Sequence, residues 1–152
     1  RRGQTQPGGG AKRFIPARSR SHAIRPGRKM IPKGLHHREK RGRAAEMRAA
    51  WALRLKGYRV VARRVRTPAG EIDLIARRGD VVAFVEVKAR PTYTQAASSV
   101  SPGQRRRIVR AAAHYIAANP HLTAMTQRFD SMLVVPRKWP HHVISAWRES
   151  GD

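Results

Sequence analysis

The residues best placed to do chemistry lie in two short runs, Gly70-Glu71-Ile72-Asp73-Leu74-Ile75-Ala76 and Phe84-Val85-Glu86-Val87-Lys88. Both alternate polar and apolar side chains, the pattern of strands with one polar and one buried face. Arg77-Arg78-Gly79-Asp80 separates them, and Gly79-Asp80 suits a two-residue hairpin turn. With that turn Arg78 pairs with Val81, Asp73 falls opposite Glu86, and Glu71 falls opposite Lys88. Glu71, Asp73, Glu86 and Lys88 then form one polar quartet, while Ile72, Leu74, Val85 and Val87 form the core face. A one-residue slip would scatter the quartet. Facing carboxylates at about 4 Å repel by roughly 4 kcal/mol at an effective dielectric of 20. Such a pair needs a proton or a cation between its members. Oxygen donors without neighbouring Cys or His favour Mg²⁺ or Mn²⁺ over zinc. Lys88 could reach a metal-bound water or a phosphate oxygen, which completes the parts for metal-assisted phosphodiester hydrolysis. The alternative is an ordinary solvated sheet face. Against it stands the economy of acid, since residues 43–152 hold only eight acidic side chains.

The elements that must position these residues can be read in order. Arg43 to Lys56 predicts a helix with Met47, Ala50, Trp51, Leu53 and Leu55 on its apolar side and Gly57 as its stop. Tyr58 to Val61, with Val65, predicts a first strand. Residues 71–76 and 81–88 form the hairpin. Ser101-Pro102-Gly103-Gln104 opens a second helix, with Ser101 as N-cap and Gln104 closing a capping box. Ile108, Ala111, Ala112, Tyr115 and Ile116 mark its buried side, and Asn119-Pro120 ends it. Phe129 to Val135 and His142 to Trp147 predict two closing strands. The resulting fold class is α/β, a mixed sheet flanked by helices in the order α-β-β-β-α-β-β.

Over residues 41–149 the chain resembles the YraN-like family of bacterial proteins. The resemblance rests on the two runs above extended through Ala89-Arg90, on Gly42 and Glu46, on Gly57-Tyr58, on Val100 to Tyr115, and on Arg128-Phe129-Asp130. That family looks like a branch of the PD-(D/E)XK nucleases, close to Holliday-junction-resolvase-like enzymes. The resemblance implies a restriction-endonuclease-like α-β-β-β-α-β core, in which Asp73 and Glu86 bind Mg²⁺ or Mn²⁺ with help from the Val87 carbonyl. It also implies that Lys88 positions or polarises the attacking water and that Glu46 is an additional ligand. Gln104 stands where many relatives carry Lys. Thr67-Pro68-Ala69-Gly70 lacks the Pro-Asp dipeptide.

Charge points to the partner. There are 33 Lys and Arg against 9 Asp and Glu, a net charge of +24. A polyanion is the natural counterpart, with nucleic acid first; charge does not separate DNA from RNA, and it is the resemblance to nucleases that favours DNA over RNA. Residues 1–42 carry 13 of the basic residues and one acid, Glu39, in a Gly-, Pro- and Ser-rich context. They predict a disordered basic tail ahead of a nuclease-like domain over 43–152. The sequence opens on Arg1, and Met30 is an alternative first residue. Arg105, Arg106, Arg107 and Arg110 give the second helix a basic surface for phosphate. Arg90 is either a phosphate contact or an exposed strand-end residue, and Gln104 either a cap or a site residue. Asp130 is expected to pair with Arg128 in support of the fold. His36-His37 and His141-His142 are adjacent pairs whose side chains diverge, which disfavours metal binding. There is no Cys and no 18-residue apolar run, so no disulfide and no membrane helix is expected, and a cytoplasmic location follows. The function expected is a metal-dependent endonuclease acting on DNA, on branched or single-stranded structures, with a homodimer by analogy with resolvases. The alternative is a non-catalytic nucleic-acid-binding module on the same fold, associated with RNA or the ribosome.

Overall fold

A computed structural model describes residues 33–148, with side chains from Lys40 onward. The fold is α/β: a five-stranded mixed sheet with helices on both faces. Helix α1 (Lys33–Leu55) leads into β1 (Arg59–Thr67), β2 (Gly70–Arg78) and β3 (Val81–Ala89). A short helix α2 (Tyr93–Ala97) and a longer α3 (Pro102–Ala118) carry the chain back to β4 (Thr126–Val134), and β5 (His141–Trp147) closes the sheet. The strands lie in sequence order, all antiparallel except β3 and β4. The parallel pair is what the α2–α3 crossover makes possible, because parallel neighbours cannot be joined by a tight turn. The expected α-β-β-β-α-β core and closing strand are present, with α2 as an element the sequence reading did not anticipate. The expected tail lies outside the described residues as far as residue 32, and α1 begins ten residues ahead of the predicted start.

Local chemistry accounts for the boundaries. Helix α1 stops in a Schellman arrangement: Gly57 N–H donates to Arg54 O at 2.9 Å and Tyr58 N–H to Leu53 O at 3.0 Å. Gly57 has φ +80°, a conformation glycine adopts without steric cost. The β2–β3 turn falls at Gly79-Asp80, with Arg78 opposite Val81 as predicted. Ser101 caps α3, its hydroxyl accepting Gln104 N–H at 3.3 Å. The other half of the expected capping box is not made, because the Gln104 side chain turns to Glu86 instead.

Two cores sandwich the sheet. On one face α1 lays Ala45, Ala49, Ala52 and Leu53 against Leu74, Ala76, Ala83, Val85 and Met132. This corrects the predicted apolar side of α1: Ala50 and Leu53 are buried, but Met47, Trp51 and Leu55 face outward. The alanine stripe wins because small side chains let the helix sit close on the strands. On the other face α3 packs Ile108, Ala111, Ala112 and Ile116 over Ile75, Val82 and Phe84. There Phe84, Phe129 and Trp147 stack in sequence at centroid separations of 5.6 and 6.1 Å.

One buried charge network ties the far strands together. Asp130 is fully buried. It accepts Arg128 Nε at 2.9 Å and Nη2 at 2.8 Å, and Ser145 N–H at 2.9 Å, with His142 Nε2 2.9 Å from its Oδ2. Arg128 also donates to the Tyr58 hydroxyl at 2.6 Å. Burial alone would raise the Asp130 carboxyl, but the hydrogen bonds from His142, Arg128 and Ser145 outweigh it and hold it below its usual value. The expected pairing of Asp130 with Arg128 is therefore present, and His142 joins it. Asp130→Ala would leave the buried His142 imidazole and the half-buried Arg128 guanidinium without their carboxylate, so chemical denaturation should show a loss of roughly 2–4 kcal/mol. A loss below about 1 kcal/mol would mean the network is not structural.

Candidate metal centre

The site arises where the β2–β3 ladder stops. Pairing runs from Arg78↔Val81 to Leu74↔Val85 and goes no further. At the next position Asp73 uses its side chain: Oδ2 accepts the Val87 N–H at 2.7 Å. Strand β2 also changes phase here. Leu74 packs in the α1-side core and Ile72 in the α3-side core, although two residues apart in a regular strand share a face. The prediction that Ile72, Leu74, Val85 and Val87 share one core face is thus corrected. Ile72, Leu74 and Val85 are fully buried, but on two faces, and Val87 is half-buried. The neighbouring strand β1 runs on in register at this level, its own shift lying between Val60 and Ala62. In the β1–β2 register Arg63 pairs with Leu74 and Val65 with Ile72, which leaves Arg64 beside Asp73. Arg64 has φ +50°, a strained conformation for a residue with a side chain.

Glu86 projects from β3 toward α3. Its Oε1 accepts Lys88 Nζ at 2.6 Å and Gln104 Nε2 at 2.6 Å. The quartet is therefore rearranged from the prediction. Lys88 pairs with Glu86, its neighbour along the strand, and not with Glu71 across the ladder. Glu71 lies at the mouth, exposed, with Arg64 and Arg66 each at 3.3 Å. Glu71, Asp73 and Glu86 still line one cleft of about 380 Å³, together with Glu46, Arg64, Gln104 and Arg107.

Burial and like charge act together on the acids. Desolvation, then the charge of Asp73, pushes the Glu86 carboxyl up to about 7, against the opposing pull of Lys88. Asp73 and Glu86 line the same cleft, so a charge on Asp73 disfavours a charge on Glu86. Asp73 is also raised, by desolvation first, with the Val87 N–H and Lys88 acting against the shift. Glu46 is raised by desolvation and next by Asp73, so the helix acid does look into this cleft. Its nearest cation is Arg64, at 3.8 Å. Among the described residues no three acidic or histidine side chains converge as a ready-made metal cage. The candidate donors are Asp73 and Glu86, with Glu46 in the same cleft and the β3 backbone at Val87 against Asp73.

The remaining predicted residues divide. Gln104 lines the cleft and holds Glu86, and this amide–carboxylate contact takes the place of its side chain's expected capping role. Arg107 lines the cleft, and Arg106 and Arg110 are exposed on α3. Arg105 is half-buried and donates to Val100 O at 3.3 Å, which fixes the start of its own helix. Arg90 is exposed beside Lys88 and Asp73 in an adjoining cleft. Arg64 is the residue the sequence reading missed. It joins Glu46 on α1 to Glu71 on β2. The signal was the doublet Arg63-Arg64, which interrupts alternation in β1 at the position of the strain.

A sequence model described as "Uncharacterised protein family UPF0102" matches residues 45–134, a span from Glu46's turn of α1 through the end of β4. A UPF0102 protein of Parvibaculum lavamentivorans is 56% identical over 107 residues, covering 70% of this chain and 80% of that protein. Another, from Methylocella silvestris, is 55% identical over 105 residues, covering 69% and 85%. A third, from Paramagnetospirillum magneticum, is 51% identical over 114 residues, covering 72% and 88%.

The raised carboxyl gives a pH signature. A folded-state value near 7 against an ordinary Glu value means the folded chain holds this proton more tightly than the unfolded one. Stability in EDTA should therefore fall as pH rises from about 4.5 to 7, by roughly 1–3 kcal/mol. Asp73→Asn removes the repelling charge while keeping an acceptor for Val87 N–H, so the fall should shrink. Urea denaturation at pH 5 and 7.5 checks it, and equal falls in wild type and variant would show that the two carboxyls do not interact.

Proposed function

This chain belongs to the uncharacterised protein family UPF0102, the YraN-like family, and on that premise and the geometry of its cleft we propose a divalent-metal-dependent nuclease that hydrolyses phosphodiester bonds in nucleic acid, with DNA the first substrate class. The observation that carries the reading is the buried Asp73–Glu86 pair. Two largely buried carboxyls that line one cleft with Arg107 and raise one another's cost of ionisation are eased by a proton or a cation between them. The donor chemistry fits a hard cation: carboxylate oxygens and a nearby backbone, with no sulfur or imidazole in the cleft. Asp73 and Glu86 would hold Mg²⁺ or Mn²⁺. Bound there, the ion would supply Lewis-acid polarisation and a water acidified toward neutral pH.

The chain's own residues have distinct tasks. Gln104 and Lys88 both engage Glu86 Oε1 and so fix the carboxyl's orientation. The Val87 N–H fixes Asp73 in the same way. Lys88 is largely buried, and its ammonium can orient a water or neutralise charge on a scissile phosphate. Glu46 offers a further carboxylate from α1, and Arg107 a phosphate contact from α3.

A second reading has one observation in its favour. The 2.6 Å Lys88–Glu86 pair offsets part of the site's negative charge without any metal, as it would in a nucleic-acid-binding module that does no hydrolysis. The two readings separate on one protein sample. For the nuclease, Mn²⁺ should raise the thermal midpoint of wild type and of Lys88→Ala but not of Asp73→Asn. Single-turnover cleavage of linear, branched or single-stranded substrates should fall about 10²–10³-fold in Lys88→Ala. Near-normal cleavage by Lys88→Ala would remove the lysine from the chemistry. Absence of cleavage by metal-loaded wild type across the panel would leave the binding module.

A further inference from the structure

Two tryptophans stand out of the fold on the side of α1 away from its alanine stripe. Trp51 is 57% exposed and Trp139 is 61% exposed, whereas Trp147 is 4% exposed in the α3-side core. Tryptophan is a costly residue to leave in water, and here both exposed rings line one cleft of about 360 Å³ with Arg48, Arg137, Lys138 and Pro140.

The cleft is held in shape. Arg48 on α1 donates to the carbonyls of Val135 and Lys138. The Tyr93 hydroxyl on α2 donates to the Trp139 carbonyl at 2.7 Å, and the Lys138 ammonium sits 5.5 Å from the Tyr93 ring centroid. The loop turns tightly at Pro136-Arg137, with Lys138 N–H on Val135 O at 3.3 Å and Arg137 at φ +59°. A non-glycine residue keeps that conformation only where its surroundings impose it. Three loop carbonyls are thus bonded from α1 and α2 while the Trp139 ring is left free of the core.

The cleft continues to the carboxylates. Arg48 also lines a second cleft, with Arg41, Ala45, Ala89, Arg90 and Pro136. Arg41, Ala45, Ala89 and Arg90 in turn line a third cleft that contains Glu46, Asp73 and Lys88. Shared walls make one track along α1. Arg41, Ala45 and Arg48 recur at the four- and three-residue spacing of a single helix face. From Glu46 to Trp51 is five residues, about 7.5 Å of helix. Among the described residues that line the track, cations predominate until Glu46.

We propose that this track binds an unpaired polynucleotide strand, whose bases stack on Trp51 and Trp139 and whose phosphates follow Arg48, Arg41 and Arg90 to the Asp73–Glu86 centre. Aromatic rings interleaved with cations are what single-stranded nucleic acid requires, because every base offers a flat face and every linkage a negative charge. A duplex hides its base faces inside the stack and cannot use the tryptophans. The other candidate occupant, a second copy of this chain, would bring arginine against arginine across the cleft. The inference deepens the nucleic-acid reading above and rests on it, but not on hydrolysis.

The test uses the full chain in EDTA, where no cleavage can occur, at about 0.3 M salt to suppress non-specific phosphate binding. An oligothymidylate of about 12 nucleotides is titrated against wild type, Trp51→Ala and Trp139→Ala, with intrinsic fluorescence and anisotropy as readouts. Stacking should quench wild-type tryptophan emission. Each substitution should weaken single-strand binding about five- to hundredfold and leave binding of a blunt duplex unchanged. Ile144→Ala, an exposed apolar change on β5 that lines none of these clefts, should bind like wild type, and because the titration is run without metal the result stands even if no substrate is ever cleaved. Equal single-strand affinity in the three proteins would overturn the proposal, as would an equal loss for duplex. Sedimentation showing a wild-type dimer that Trp51→Ala converts to monomer would assign the surface to self-association instead.

Discussion

The side chain of Asp73 takes the amide hydrogen of Val87 at the point where backbone pairing between β2 and β3 ceases. The rest of the cleft depends on that substitution. A continued ladder would hold the two strands at ordinary spacing and press Asp73 flat against Glu86. Ending it at Leu74↔Val85 frees Asp73 and Glu86 from a directly opposed register. Val87 N–H does not lose a partner, so no buried donor is orphaned. The strain appears next door, in the left-handed backbone of Arg64, whose side chain stays in reach of both Glu46 and Glu71.

The scaffold around this opening is stiff on both sides. Helix α1 lies close on the sheet because its inward stripe is alanine, and that closeness brings Glu46 to the rim. Helix α3 is anchored by the stacked aromatics beneath it and delivers Gln104 to Glu86. Behind the site, the buried Asp130 network links β1, β4 and β5 through Tyr58, Arg128, His142 and Ser145. There the Asp130 carboxylate is kept inside by hydrogen bonds to both of its oxygens, while His142 Nδ1 is left without a partner. Asp73 and Glu86 are the exception. Both carboxyls are raised by desolvation first, with the charge of Asp73 adding at Glu86 and that of Glu71 at Asp73, against the pull of Lys88 on each and of the Val87 amide on Asp73. Such imbalance is a mark of working sites.

Apart from the short helix α2, the order of elements, the turn at Gly79-Asp80, the pairing of Arg78 with Val81 and the Ser101 cap were legible in the sequence. These features depend on local chemistry: period-two and helical alternation, turn residues and capping hydroxyls act over a few positions. Asp73, Glu86 and Lys88 could be picked out for the same reason, since a strand with a regular period declares which residues share a face. The family membership agrees with the resemblance carried by those runs.

What only the tertiary structure decided is where that period fails. The phase change between Ile72 and Leu74 leaves no trace in the β2 sequence, because both residues are apolar and either face of the sheet buries them. Whether Gln104 caps its own helix or reaches Glu86 depends on how near α3 lies to β3, and whether Trp51 is core or surface depends on how near α1 lies to β2. Those distances are set by side-chain volumes packed between elements far apart in the chain, not by any local pattern. The same holds for Arg64: its neighbours in sequence make it a strand residue, and the contacts of Glu46 and Glu71 from two other elements make it part of the site.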